Sequence, residues 1–103
     1  MKLKIDTSER ELIKVGIDDK IYTTRSKDGA SQKLLPFIDE ILKKTGTSIN
    51  QITEIEVNPG PGSFTGLRVG VSVANALGWA LKIPVNRRKI NQGETIDIVY
   101  GKK

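Results

Sequence analysis

Apolar and polar residues alternate with a period of two along the first quarter of the chain. In residues 2–6 (KLKID) Leu3 and Ile5 stand between lysines, and in 12–17 (LIKVGI) Ile13, Val15 and Ile17 share one face, so both segments predict half-buried strands. Asp18-Asp19 interrupts the pattern before 20–25 (KIYTTR), where Tyr22 and Thr24 oppose Ile21 and Thr23, and the second and third strands are expected to form a hairpin. The period then lengthens. From Ser31 to about Lys44 the apolar residues Leu34, Leu35, Phe37, Ile38, Ile41 and Leu42 recur at helical spacing, with Ser31 as N-cap, Pro36 in the first turns and Gly46 as the stop. They span an arc of roughly 160°, wider than the ~100° stripe that one sheet can cover, so part of the arc is expected to face something else.

Residues 52–57 (ITEIEV) alternate again, with Glu54 and Glu56 opposite Ile55 and Val57. A loop then leads to a second helix from about Thr65 to Leu81, ended by Pro84; Val85 begins a short strand and 95–100 (TIDIVY) makes a last one. The order β-β-β-α-β-α-β calls for a mixed sheet, a hairpin extension plus parallel strands joined by right-handed crossovers. Strands covered on both faces would read as continuous apolar runs. These alternate, which places both helices on one face and leaves a wet face where Lys2 and Lys4 stand beside Glu54 and Glu56. The expectation is a single α/β domain over residues 1–103.

The segment Asn58–Gly70 (NPGPGSFTGLRVG) turns a strand end sharply into a helix, since Pro59 and Pro61 fix φ while Gly60 and Gly62 permit positive φ. A helix start of this kind can hold an anion, with Asp6, Gly60, Gly62, Ser63 and Thr65 as candidates, although it lacks the lysine and Ser/Thr of a Walker A loop and the GxGxxG spacing, and a purely structural turn is the simpler reading. Within the helix Gly66, Gly70, Ala74 and Gly78 recur every four residues and form a ridge without side chains. Glycine costs roughly 1 kcal/mol relative to alanine in a helix interior, a penalty usually offset by close packing. Val69, Val73, Leu77, Trp79 and Ala80 carry apolar surface around the rest of the circumference, and a helix apolar all round is buried on more than one side. Either the sheet and first helix cover it, or a second chain covers what they leave. The preferred reading gives the ridge to the second chain, with Val73 on the far side as the control position.

Composition narrows the chemistry. The 103 residues, 37% hydrophobic and 28% charged, suit one small globular domain. With no cysteine and no histidine there are no disulfides, thiolate nucleophiles or imidazole bases, and no common zinc or copper set, so no catalytic residue and no metal ligand is assigned. A net charge of +5 permits an acidic partner such as RNA, but the basic residues are scattered apart from Arg87-Arg88-Lys89 and the terminal Lys102-Lys103, which read most simply as solvated surface. The longest uncharged stretch, Val69 to Leu81, falls short of the ~20 residues of a membrane span, and MKLKIDTS is too short and too charged for a signal peptide. A cytoplasmic protein without a membrane partner is expected.

Ile5-Asp6-Thr7-Ser8, Leu34-Leu35-Pro36-Phe37-Ile38-Asp39 and above all GPGSFTGLRVG at 60–70 resemble the N-terminal domain of the TsaB family, also called YeaZ, the dimerisation subunit of the bacterial machinery that makes threonylcarbamoyladenosine in tRNA. The catalytic sister family, TsaD, carries a different glycine-rich run together with two metal-binding histidines, and this sequence has none. The resemblance covers 1–86 and implies an actin-like/RNase H-like ATPase-superfamily domain, a mixed five- or six-stranded sheet with two helices on one face. After Pro84 the sequence departs: 87–103 is expected to be a divergent extension with an edge strand, where a typical member continues into a second domain that supplies the other half of a nucleotide cleft.

The resemblance also implies a non-catalytic subunit that pairs through its two helices with a TsaD-like catalytic subunit, forms a homodimer when isolated and meets tRNA indirectly. On that reading the interface holds Leu34, Phe37, Ile38, Ile41, Gly66, Arg68, Gly70, Ala74 and Gly78. No cofactor is expected, ATP or ADP being bound only together with the partner subunit. Asp6 falls at the strand position that serves magnesium in the wider superfamily, but Thr7-Ser8 follow it in place of a glycine turn, so no magnesium is expected. Two other functions compete: a half-site nucleotide binder built on Asp6 and the 58–65 loop, and a basic RNA-binding module built on Arg87, Arg88, Lys89 and the terminal lysines.

Overall fold

The computed structural model describes residues 1–27, 29–94 and 96–98. Strands β1 (Lys2–Asp6), β2 (Leu12–Ile17), β3 (Lys20–Arg25) and β4 (Glu54–Val57) form one sheet in the order β3-β2-β1-β4, with helices α1 (Leu34–Thr45) and α2 (Phe64–Leu81) packed on it. β1 pairs antiparallel with β2 and parallel with β4, the mixed arrangement that the alternating segments predict. The inward positions Leu3, Ile5, Ile13, Val15, Ile17, Ile55 and Val57 are all buried and meet α1 and α2 in one core. On the opposite face the register sets Lys2 beside Glu54 and Lys4 beside Glu56, and Lys2 Nζ lies 3.1 Å from Glu56 Oε1.

Helix α1 begins with the first residue of its apolar series, Leu34, and so later than an N-cap at Ser31 would set it. Ala30–Gln32 form a separate 3-10 turn, Lys33 rather than Ser31 is the N-cap, and no side chain caps the helix. Pro36 thereby occupies the third helical position, where no intrahelical N–H is needed. The helix stops at Gly46, whose φ of 67° lets its N–H reach the carbonyls of Leu42 and Lys43.

Among the described residues the sheet has four strands, not the five or six expected. Val85 contributes only a single parallel bridge to Ile55. The chain reverses immediately afterwards, because Asn86 (φ 48°) and Arg87 (φ 68°) are both left-handed and Val85 and Arg88 exchange backbone hydrogen bonds of 3.0 and 2.8 Å. That is a two-residue turn of the primed type. Asn86 then closes the free edge of β4 with its side chain: Oδ1 accepts from Val57 N at 2.8 Å and Nδ2 donates to Val57 O at 2.9 Å. The expected strand at 95–100 falls partly outside the described residues, and Ile96, Asp97 and Ile98 form no ladder. Ile96 is instead held by the Asn75 side chain on α2, which accepts from its N–H at 3.3 Å and donates to its carbonyl at 3.2 Å.

Candidate functional site

The loop between β4 and α2 is fastened to the end of β1. Asp6 Oδ1 accepts from Ser8 N at 2.9 Å and from Ser8 Oγ at 2.6 Å; Asn58 Nδ2 donates to the same hydroxyl at 3.2 Å, and Asn58 Oδ1 accepts from Gly60 N at 2.9 Å. Ser63 N donates to Ser8 O at 2.7 Å, and Ser63 caps α2 by accepting from Gly66 N at 3.5 Å. Gly62 passes so close that a Cβ would lie 2.5 Å from Ser8 O, and the Gly60–Pro61 peptide is cis. Partial burial raises the Asp6 pKa, but hydrogen bonds from the Ser8 hydroxyl and amide and from Asn58, with the nearby Lys14 charge, outweigh it and hold the carboxyl below its ordinary value.

The anion candidates do not converge. Asp6 borders a hollow on the wet face of the sheet with Lys4, Lys14, Glu56 and Asn58, while Ser63, Thr65 and Gly66 border another beside Thr7 and Arg10. Gly60 and Gly62 serve the clasp around Ser8. A single carboxylate already accepting two hydrogen bonds from Ser8 suits a structural clasp and does not fit a divalent cation, and among the described residues no group of three or more acidic, histidine or cysteine side chains could hold a metal.

The small-residue ridge of α2 faces inward, which corrects the interface expected from sequence. A Cβ on Gly66 would run into the Thr7 carbonyl and one on Gly70 into Thr7 Oγ1; Ala74 is wholly buried, and a Cβ on Gly78 would lie 2.5 Å from Val85 Cγ2. The close approach belongs to the end of β1 and to Val85. Thr7 illustrates the fit, since it is buried with its hydroxyl donating to Gly66 O at 2.5 Å. Leu34, Phe37, Ile38 and Ile41 are likewise core residues, because α1 is covered by the sheet and the segments around it. Of the wide apolar arc on α1 only Leu35 stays exposed; the outer face carries Asp39 and Lys43 in an ion pair of 3.0 Å.

What the chain leaves uncovered is the opposite side of α2. Thr65, Arg68, Ser72, Ala76, Trp79 and Ala80 are exposed, and Val69 and Val73 are half-buried between them. Arg68 lies over the Phe64 ring at 5.5 Å and is the helix's only charge. A shallow hollow runs along this face, lined by Ser31, Thr65, Arg68, Val69, Ser72 and Val73. Of the nine expected interface residues, Arg68 alone belongs here. Val73, the intended control, sits in the middle. Arg68 and Ser72, polar and four residues apart, were the sequence signal for the outward side. Arg87, Arg88 and Lys89 are exposed beyond the C-terminal end of α2, and Lys102 and Lys103 lie outside the described residues.

Residues 24–87 match the family described as TsaD, tRNA N6-adenosine threonylcarbamoyltransferase. The solved structure of YeaZ from Pseudomonas aeruginosa superposes on 82% of the chain with a TM-score of 0.71 and 28% identity. The tRNA threonylcarbamoyladenosine biosynthesis protein TsaB of Bacillus subtilis is 35% identical over 88 residues, or 82% of the chain, and that of Haemophilus influenzae is 44% identical over 55 residues, or 53% of the chain. The chain belongs to the TsaB/YeaZ family. Its relatives carry names from tRNA threonylcarbamoyladenosine biosynthesis. It spans 38% of the B. subtilis TsaB, 23% of the H. influenzae TsaB and 41% of the P. aeruginosa YeaZ chain. The family match ends at residue 87, within the turn that folds the chain back from the sheet edge.

Proposed function

We propose that this TsaB-like domain, on an actin-like/RNase H-like frame, is a non-catalytic scaffold of tRNA threonylcarbamoyladenosine synthesis in the cytoplasm. It docks a TsaD-type catalytic subunit on the outward face of α2 and pairs with itself through the same face when isolated. The observation that carries this reading is that face: an 18-residue helix whose inner ridge is filled by its own chain, and whose outer side presents valine, alanine and tryptophan with one charge. Contiguous apolar surface of this kind marks an interaction site. Small side chains at Ser72, Ala76 and Ala80 allow a partner helix to approach closely.

The catalytic chemistry is assigned to the partner, since the chain offers neither an imidazole nor a thiol, and Asp6 is committed to Ser8. Reconstitution tests the role: a TsaD-type subunit should modify tRNA in the presence of the chain and much more slowly in its absence. The chain alone should neither hydrolyse ATP nor transfer a carbamoyl group. Turnover by the chain alone, surviving repurification, would refute the scaffold reading.

A further inference from the structure

Lys82, Arg87 and Lys89 line one hollow of about 450 Å³ with Pro84 and Gln92, and Arg88 is exposed next to them in sequence. Helix α2 ends at Leu81, and the turn at Asn86-Arg87 swings the following residues back beneath that end, so cations separated by up to seven positions converge. Lys82 has a simple structural reason, because a cation complements the partial negative charge at a helix C-terminus. The other cations have none of that kind. Among the described residues none of the four takes part in an ion pair, and Glu94 Oε2 accepts from the Lys89 backbone N–H at 3.3 Å.

Arg87 is the telling member. It occupies the second position of a two-residue turn with φ 68°, where glycine is the favoured residue and a side chain strains the backbone. Backbone strain retained at one residue points to work done by its side chain. A concave site lined by arginine and lysine matches a protruding phosphodiester, which accepts paired hydrogen bonds from a guanidinium and a point charge from an ammonium. A flat layer of lipid headgroups does not enter such a hollow.

We infer that Lys82, Arg87 and Lys89 form a phosphate-backbone site for RNA, so that the chain touches tRNA directly and not only through a catalytic partner. The choice of tRNA as the RNA rests on the function proposed above; the phosphate chemistry rests on the hollow. Binding through backbone phosphates is salt-dependent and indifferent to sequence. Three such contacts correspond to a salt slope of about −2.1 to −2.7, or roughly a 20- to 40-fold loss of affinity between about 50 and 200 mM salt.

The test is fluorescence anisotropy with a labelled tRNA transcript and the full chain, compared with the double variant Arg87→Gly, Lys89→Gln. Glycine suits the turn, so the variant should melt no lower than the parent. The expected result is at least about tenfold weaker binding at low salt and a slope smaller by roughly two. Equal binding by the variant, no binding by the parent at about 50 mM salt, or retention by vesicles containing anionic lipid but not by tRNA would each overturn the site. Capture of a TsaD-type subunit keeps the two readings apart: no capture by the parent, with its tRNA binding intact and lost in the variant, would sink the scaffold and leave the phosphate site standing, whereas capture lost only in the variant would give these residues to the protein partner and overturn the phosphate site.

Discussion

Replacing Gly78 by leucine separates an inward ridge from an outward one. Even the first added carbon would lie 2.5 Å from Val85 Cγ2 and 3.2 Å from both Ile83 O and Ile90 Cγ1. Ordinary contact begins at 3.4 Å, so the methyl of Val85 must retreat by 0.9 Å before the rest of the leucine is accommodated at all (3.4 − 2.5). Val85 cannot move freely, because its N–H and carbonyl pair with Arg88 and its neighbours Pro84 and Asn86 bond to Ile55. Overpacking of this kind costs about 1–3 kcal/mol and sometimes more, while leaving glycine behind returns up to about 1 kcal/mol of helix propensity. Because Val85 is held in place, the steric cost falls at the upper end of that range and wins, for a net loss of about 2 kcal/mol. In a domain of this size that lowers the melting temperature by roughly 8–16 °C. Thermal melts followed by circular dichroism, with Val73→Leu on the outer face as the control, measure it. A Gly78→Leu chain that melts like the parent but no longer associates would refute the inward ridge and return the small residues to an interface.

Asn86→Ala strips both partners from the Val57 main chain at the sheet edge and should cost about 2 kcal/mol, read as a lower midpoint in urea. Arg87→Gly relieves the left-handed turn and should raise stability by about 1 kcal/mol, or roughly 4–8 °C in melting temperature. The pKa of Asp6 is depressed by folding, so its contribution is present above the unfolded value of 3.8 and is lost as pH falls through the lower folded value. Asp6→Asn should therefore be less stable than the parent at neutral pH, by no more than about 1 kcal/mol, and should lose less stability than the parent below pH 3.8 in acid titrations followed by circular dichroism.

The four ladder strands were legible because each is covered on one face only, so alternation marks both the strand and its inward side. The pairing of Lys2 and Lys4 with Glu54 and Glu56 follows from the same period. Helix α1 was legible except for its start, where Ser31 resembles a cap but Pro36 and the 3-10 turn at Ala30–Gln32 push the helix to Leu34. The orientation of α2 was not legible from hydrophobicity, since glycine, alanine, valine and leucine surround it. Glycine recurring every four residues announces close approach without saying to what, and here the neighbour is Thr7 and Val85 of the same chain. The reversal after Val85 was hidden for a related reason: an arginine occupies a turn position that glycine would have advertised.

The docking face is tested most directly by the affinity of the chain for a TsaD-type subunit, measured by titration calorimetry with the parent and with Ala76→Asp. Ala76 is exposed on the outer face of α2, so an aspartate there adds a charge to the proposed interface while disturbing little of the interior. The parent should bind, and the variant, folded and melting within a few degrees of it, should bind at least about 100-fold more weakly, the roughly 2.7 kcal/mol expected of a charge buried without a partner at an interface. Equal affinity for the two chains, or no binding by the parent, would contradict docking on this face of α2.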